Sequence, residues 1–114
     1  EYYEITNVPA GAQYRFDFCD APFDTYMTLF PSNSTTPLAF NDNFCGTGGT
    51  RSQLEYTFTT GGSYRIQLNE KTSGNNCGSG GTNAPLYITL LYLPATATTV
   101  NSIVRAASSP TNAN

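Results

Sequence analysis

Apolar and polar residues alternate with period two along most of this chain. In QYRFDFC, Tyr14, Phe16 and Phe18 share one parity while Arg15 and Asp17 take the other. In QLEYTFT, Leu54, Tyr56 and Phe58 alternate with Glu55 and Thr57; in SYRIQLNE, Tyr64, Ile66 and Leu68 alternate with Arg65, Gln67 and Asn69. Side chains on a strand point to opposite faces in turn, so each run predicts a half-buried strand. TYMTLF (Thr25 to Phe30) and PLAF (Pro37 to Phe40) predict shorter ones. PLYITLLYL (Pro85 to Leu93) is almost continuously apolar, which predicts a central strand covered on both faces.

Turn chemistry separates these runs. NVPAGA precedes the first alternating strand, PSNSTTP follows TYMTLF, and TTGGS reads as a hairpin joining the strands on either side of it. The segment Lys71 to Ala84, rich in Gly, Asn and Ser, lacks apolar periodicity and predicts a surface loop. Beyond Pro94, Thr96, Thr98, Val100, Ser102, Val104 and Ala106 share one parity, as in a strand with small inward groups. Val100, Ile103 and Val104 also have helical spacing, but the threonines weaken a helix there. These signals predict an all-β fold: a β-sandwich of jelly-roll type with about seven to nine antiparallel strands. The expected division is a sandwich over 1–94 and an extended β-compatible tail or linker over 95–114.

Composition narrows the function. The chain has 114 residues, no His, no Trp and a net charge of −3, and only 11% of it is charged against about 25% in a typical soluble protein. So few Lys and Arg leave no electrostatic footprint for nucleic acid or for an anionic membrane surface. No apolar run is long enough to span a bilayer as a helix. No signal peptide is recognisable, so Glu1 is expected to be a mature terminus or the edge of a longer chain. The uncharged polar surface predicts a secreted, extracellular or cell-surface protein.

Motif order resembles the bacterial pre-peptidase C-terminal domain, in a cysteine-bearing variant of secreted and surface proteins. YRFDF, FDTYMTLF, PLAFNDN, GTGGTRSQLEYTF and GGSYRIQL follow one another as in that family, covering roughly Tyr14 to Leu93. The resemblance implies a non-catalytic jelly-roll module that accompanies secreted enzymes or sits in surface proteins. Where the family carries a second Asp after Asn-Asp, this chain has Asn43, which removes a carboxylate from the loop.

Six groups of residues are candidates for chemistry. Asn41, Asp42 and Asn43, with Asp24 upstream, have calcium-loop character, and some related collagen-binding modules bind calcium. Their alternative is a turn in which Asn41 and Asp42 bond their own backbone and Asp24 caps a neighbouring loop. No other cofactor is expected. Among Cys19, Cys45 and Cys77, a Cys19–Cys45 disulfide would stabilise the fold by about 3 kcal/mol. Cys77 is left to pair with Cys45 instead, to bind a neighbour or to stay free. Without His, no Ser-His-Asp arrangement exists, and the carboxylate pairs Glu55/Glu70 and Asp24/Asp42 are expected to be solvated, so no enzyme is predicted. Of the eight tyrosines, Tyr14, Tyr56 and Tyr64 are assigned to the core, while Tyr2, Tyr3, Tyr26, Tyr87 and Tyr92 are open to surface roles. Asn33, in NST, is a glycosylation acceptor triplet. Tyr2, Tyr3, Val100, Ile103 and Val104 lie in segments that could act as assembly strands.

The function predicted on these grounds is attachment or assembly through contacts with other protein chains, copies of itself included. Two rivals are a filament subunit joined by strand donation from the terminal segments, and a calcium-assisted module binding collagen or polysaccharide.

Overall fold

A computed structural model describes residues 2–71, 77–78, 84–95 and 102–105. Among the described residues nine strands run in chain order: β1 Tyr2–Val8, β2 Gln13–Asp17, β3 Thr25–Pro31, β4 Ala39–Asn41, β5 Gln53–Thr57, β6 Gly62–Lys71, β7 Cys77–Gly78, β8 Tyr87–Tyr92 and β9 Ser102–Arg105. They form two antiparallel sheets. The larger has the order β4-β3-β6-β1-β9, with the short β7 also paired to β6; the smaller has the order β5-β2-β8. The predicted all-β sandwich is the architecture found.

The sheets stack because each strand offers one apolar face. Ile5, Met27, Leu29 and Ile66 of the larger sheet meet Phe16, Phe18 and Phe58 from the other side, and all are at most 2% exposed. Phe58 is the hub of the aromatic packing. Its ring lies 4.5 Å from that of Tyr64, 5.0 Å from Tyr56, 6.1 Å from Phe16 and 6.2 Å from Tyr14. Edge-to-face and tilted pairs at these separations add to the gain from area burial alone. The assignment of Tyr14 and Tyr64 to the core holds at 6% exposure each, whereas Tyr56 packs against the core while partly exposed.

Three expectations require correction. TTGGS is not a hairpin: β5 pairs with β2, and β6 pairs with β1 and β3 in the other sheet. The chain crosses between layers there, and Phe58 anchors the crossing by donating its N–H to the Ala12 carbonyl at 2.9 Å. Glycine turns mark a reversal without specifying whether the next strand stays in the sheet. β8 is not a covered central strand either: among the described residues it is an edge, paired only with β2. An apolar run states what both faces prefer, and the fold supplies a neighbour on one side alone.

The third concerns β1, which alternation did not reveal. It lies between β6 and β9 in the larger sheet. Asn7 sits at φ 57° and the register with β6 shifts between Ile5 and Val8. That bulge resets the phase, so the inward set is Tyr3, Ile5 and Val8, which no single parity describes.

Candidate functional site

The loop between β4 and β5 is built on three constraints. The Cys19–Cys45 disulfide ties it to the segment after β2, with Cα atoms 5.3 Å apart. Arg51 donates through Nε to the Ala21 carbonyl at 2.8 Å and through Nη1 to the Thr50 hydroxyl at 2.6 Å. Gly46 adopts φ +75°, and a Cβ there would lie 2.5 Å from the Cys19 carbonyl oxygen. Only glycine fits that approach.

Below the loop, two buried hydroxyls join the layers. Thr25 and Ser52 are fully buried, their oxygens lie 2.6 Å apart, and the Ser52 N–H donates to Thr25 Oγ1 at 2.8 Å. These two residues escaped the sequence reading. A signal was present: Thr25 shares the inward parity of Met27 and Leu29 in β3.

Of the calcium candidates, Asn41 and Asp42 make side-chain contacts within the protein. Asn41 Oδ1 accepts the Gln53 N–H at 3.1 Å, so its partner lies in β5 and not in its own turn. Asp42 forms a salt bridge with Lys71, and the Lys71 N–H donates to the Asp24 carbonyl at 2.8 Å. The Lys71 ammonium is held above its usual pKa range, first by the Asp42 hydrogen bond and further by the charges of Asp42 and Asp24. Oδ1 of Asp24 and of Asp42 are each buried without a hydrogen-bond partner among the described residues. Asn43 is exposed. Among the described residues no three acidic, His or Cys side chains converge as metal ligands. The Asp42 carboxylate is served by an ammonium from the protein itself.

A cleft of about 490 Å³ opens at the other side of the sandwich, lined by Ser32, Leu38, Tyr56, Thr60, Ser63 and Tyr64 among others. Its lining holds no carboxylate, Lys, Arg or Cys. Asn33 of the glycosylation triplet is exposed on its rim. Glu55, considered above as half of a carboxylate pair, instead bonds Arg15 on the outer face of the smaller sheet at 2.8 Å.

The most exposed apolar surface belongs to β8. Tyr87 is 47% exposed, Leu90 43%, Leu91 37% and Tyr92 58%. Leu90 stands opposite the buried Tyr14, so it occupies a core-facing position that the second layer leaves partly uncovered. The Tyr87 phenol is anchored by a hydrogen bond to Asp20, which raises its pKa. Tyr3, by contrast, is a core residue whose hydroxyl donates to the Ala84 carbonyl at 2.8 Å. Tyr26 stacks on the exposed Phe40 at 5.8 Å. Val100 lies outside the described residues, whereas Ile103 and Val104 are backbone partners of Ile5 and Glu4 in β9. Cys77 falls in β7, opposite Lys71.

Comparison with known proteins returns no match to any family model, characterised protein or solved structure.

Proposed function

We propose that this chain is a non-catalytic extracellular module that works by assembly through protein–protein contacts, other copies of itself being the first partner to test. One observation carries the reading: among the described residues β8 is an edge strand, it has no charged residue, and its tyrosines and leucines are about half exposed. Folded proteins normally guard such an edge with Lys, Pro or a covering loop, because its free N–H and C=O groups template pairing with another chain. An apolar strand edge left open is the feature expected of an interface. The Cys19–Cys45 disulfide accords with an oxidising, extracellular setting. The cleft, lined by hydroxyls, phenols and backbone, lacks the acid–base pair a hydrolase requires. The motif order, which resembles that of the pre-peptidase C-terminal domain, fits a module of this kind.

Light scattering on the purified chain tests the proposal. The weight-average mass is expected to rise with concentration for the native sequence and to rise less for Tyr92→Lys, which places a charge on the most exposed side chain of β8. A native chain that stays monomeric into the millimolar range refutes the assembly reading. Equal association by both proteins removes β8 as its site.

A further inference from the structure

We infer that β9 is an exchangeable strand: Ser102–Arg105 of one copy completes the β1 edge of a second copy, joining the two through backbone hydrogen bonds. The inference rests on the assembly reading above and adds a second joint beside β8, with another copy of the chain as the partner. Three observations lead to it.

The first is how β9 is held. It spans four residues and pairs antiparallel with β1, Thr6 opposite Ser102 and Tyr3 opposite Arg105. Of the described elements it packs appreciably on β1 alone. The larger sheet is already closed between β1 and β6, and Tyr3, Ile5 and Val8 face the core on β1 itself. The strand is therefore an addition to the β1 edge of the larger sheet.

The second is where the chain leaves and returns. Tyr92 pairs with Gln13, and Pro94 lies beside Gly11, where an added Cβ would stand 3.0 Å from its ring. Gly11 follows the end of β1, and Ser102 pairs with Thr6 near that same end. Departure from the smaller sheet and return to the larger one thus occur at one end of the sandwich.

The third is length. The layers of a sandwich are about 10 Å apart, whereas the eight steps from Pro94 to Ser102 reach about 26 Å when extended. A layer spacing of that size is less than half of that reach. The surplus is enough for Ser102 to reach a β1 edge on a neighbour packed against the same end. The bonds formed are identical in either case, so effective concentration decides which β1 is filled. A reciprocal exchange makes a closed dimer, and a one-way exchange makes an open chain.

Cysteine pairing across the joint reads this out. In a Cys77→Ser background, one chain carries Thr6→Cys and a second, longer by a tag, carries Ser102→Cys. Both substitutions are close to isosteric. Partners directly opposite in antiparallel strands bring their Cα atoms to about 4.5–5.5 Å, within disulfide reach. Co-expressed and mildly oxidised, the two chains are expected to give a covalent heterodimer whose share rises with protein concentration, while neither variant alone gives a homodimer. The double variant in one chain confirms that the joint forms a disulfide at all. A double variant that closes only on itself, with no heterodimer from the mixed pair, overturns exchange. If the native chain still associates by light scattering in that case, exchange fails and assembly stands. If the native chain is monomeric throughout, both fail together.

Discussion

At the scale of single residues, the fold depends on polar groups placed where only apolar ones are expected. Thr25 and Ser52 are buried and satisfy each other across the two layers. Thr25→Val keeps the shape but strips the Ser52 N–H and hydroxyl of their partner. Leaving a buried donor unpaired costs about 1–3 kcal/mol, so the urea midpoint is expected to fall by that equivalent with no change of fold. Titration gives a second prediction. Lys71 is raised by its hydrogen bond to Asp42, Tyr64 by burial and then by Tyr56, and Tyr87 by its hydrogen bond to Asp20. A pKa raised in the folded state means that the group's stabilisation is complete below the unfolded value, about 10 for Tyr and about 10.4 for Lys. It is then lost as pH climbs through the folded value. These three groups should leave the urea midpoint level below about pH 9 and pull it down above about pH 10. A midpoint that rises over that upper range would contradict the assigned contacts. Thr25 was legible in principle, by parity. The Asp42–Lys71 pair was not, because the two residues are 29 positions apart and no periodicity links them.

At the scale of elements, the disulfide and the edges matter most. Cys19 and Cys45 close a loop with a sequence separation of 26. Replacing both by Ser is expected to cost about 3 kcal/mol through greater freedom of the unfolded chain. The loss should appear as a lower urea midpoint, reproduced in the native chain by reductant, with the far-ultraviolet circular dichroism of the folded protein unchanged. Strands with unbroken alternation were plain in the sequence, β2, β5 and β6 above all, because one covered face and one wet face write a period of two. β1 was hidden by the bulge at Asn7, and β8 was misplaced because its apolar run fits a covered strand as well as an open edge.

At the scale of the whole molecule, the distribution of charge sets the kind of association. Net charge is −3 on 114 residues, yet β8 carries none of it. Self-association through β8 should therefore persist, or strengthen slightly, when salt is raised from about 0.05 to about 0.5 M, since screening acts on the repulsion between net charges alone. Light scattering at both ionic strengths checks this, and dissociation at high salt would point to an ion-paired interface elsewhere. The absence of His and the scarcity of Lys and Arg were visible from composition. Which surface is left open was not.

The amino-acid order by itself determined the strands with regular alternation, the all-β class and the low-charge exterior, because these follow from local periodicity and residue chemistry. Tertiary structure decided the rest: that β5 and β6 part into different layers, that Lys71 serves the Asp24–Asp42 corner, and that β8 is an edge. Each of these depends on which distant segment arrives beside a given strand. Two sequences of contacts can satisfy the same alternation, and the packing of Phe16, Phe18 and Phe58 against the opposite sheet selects between them.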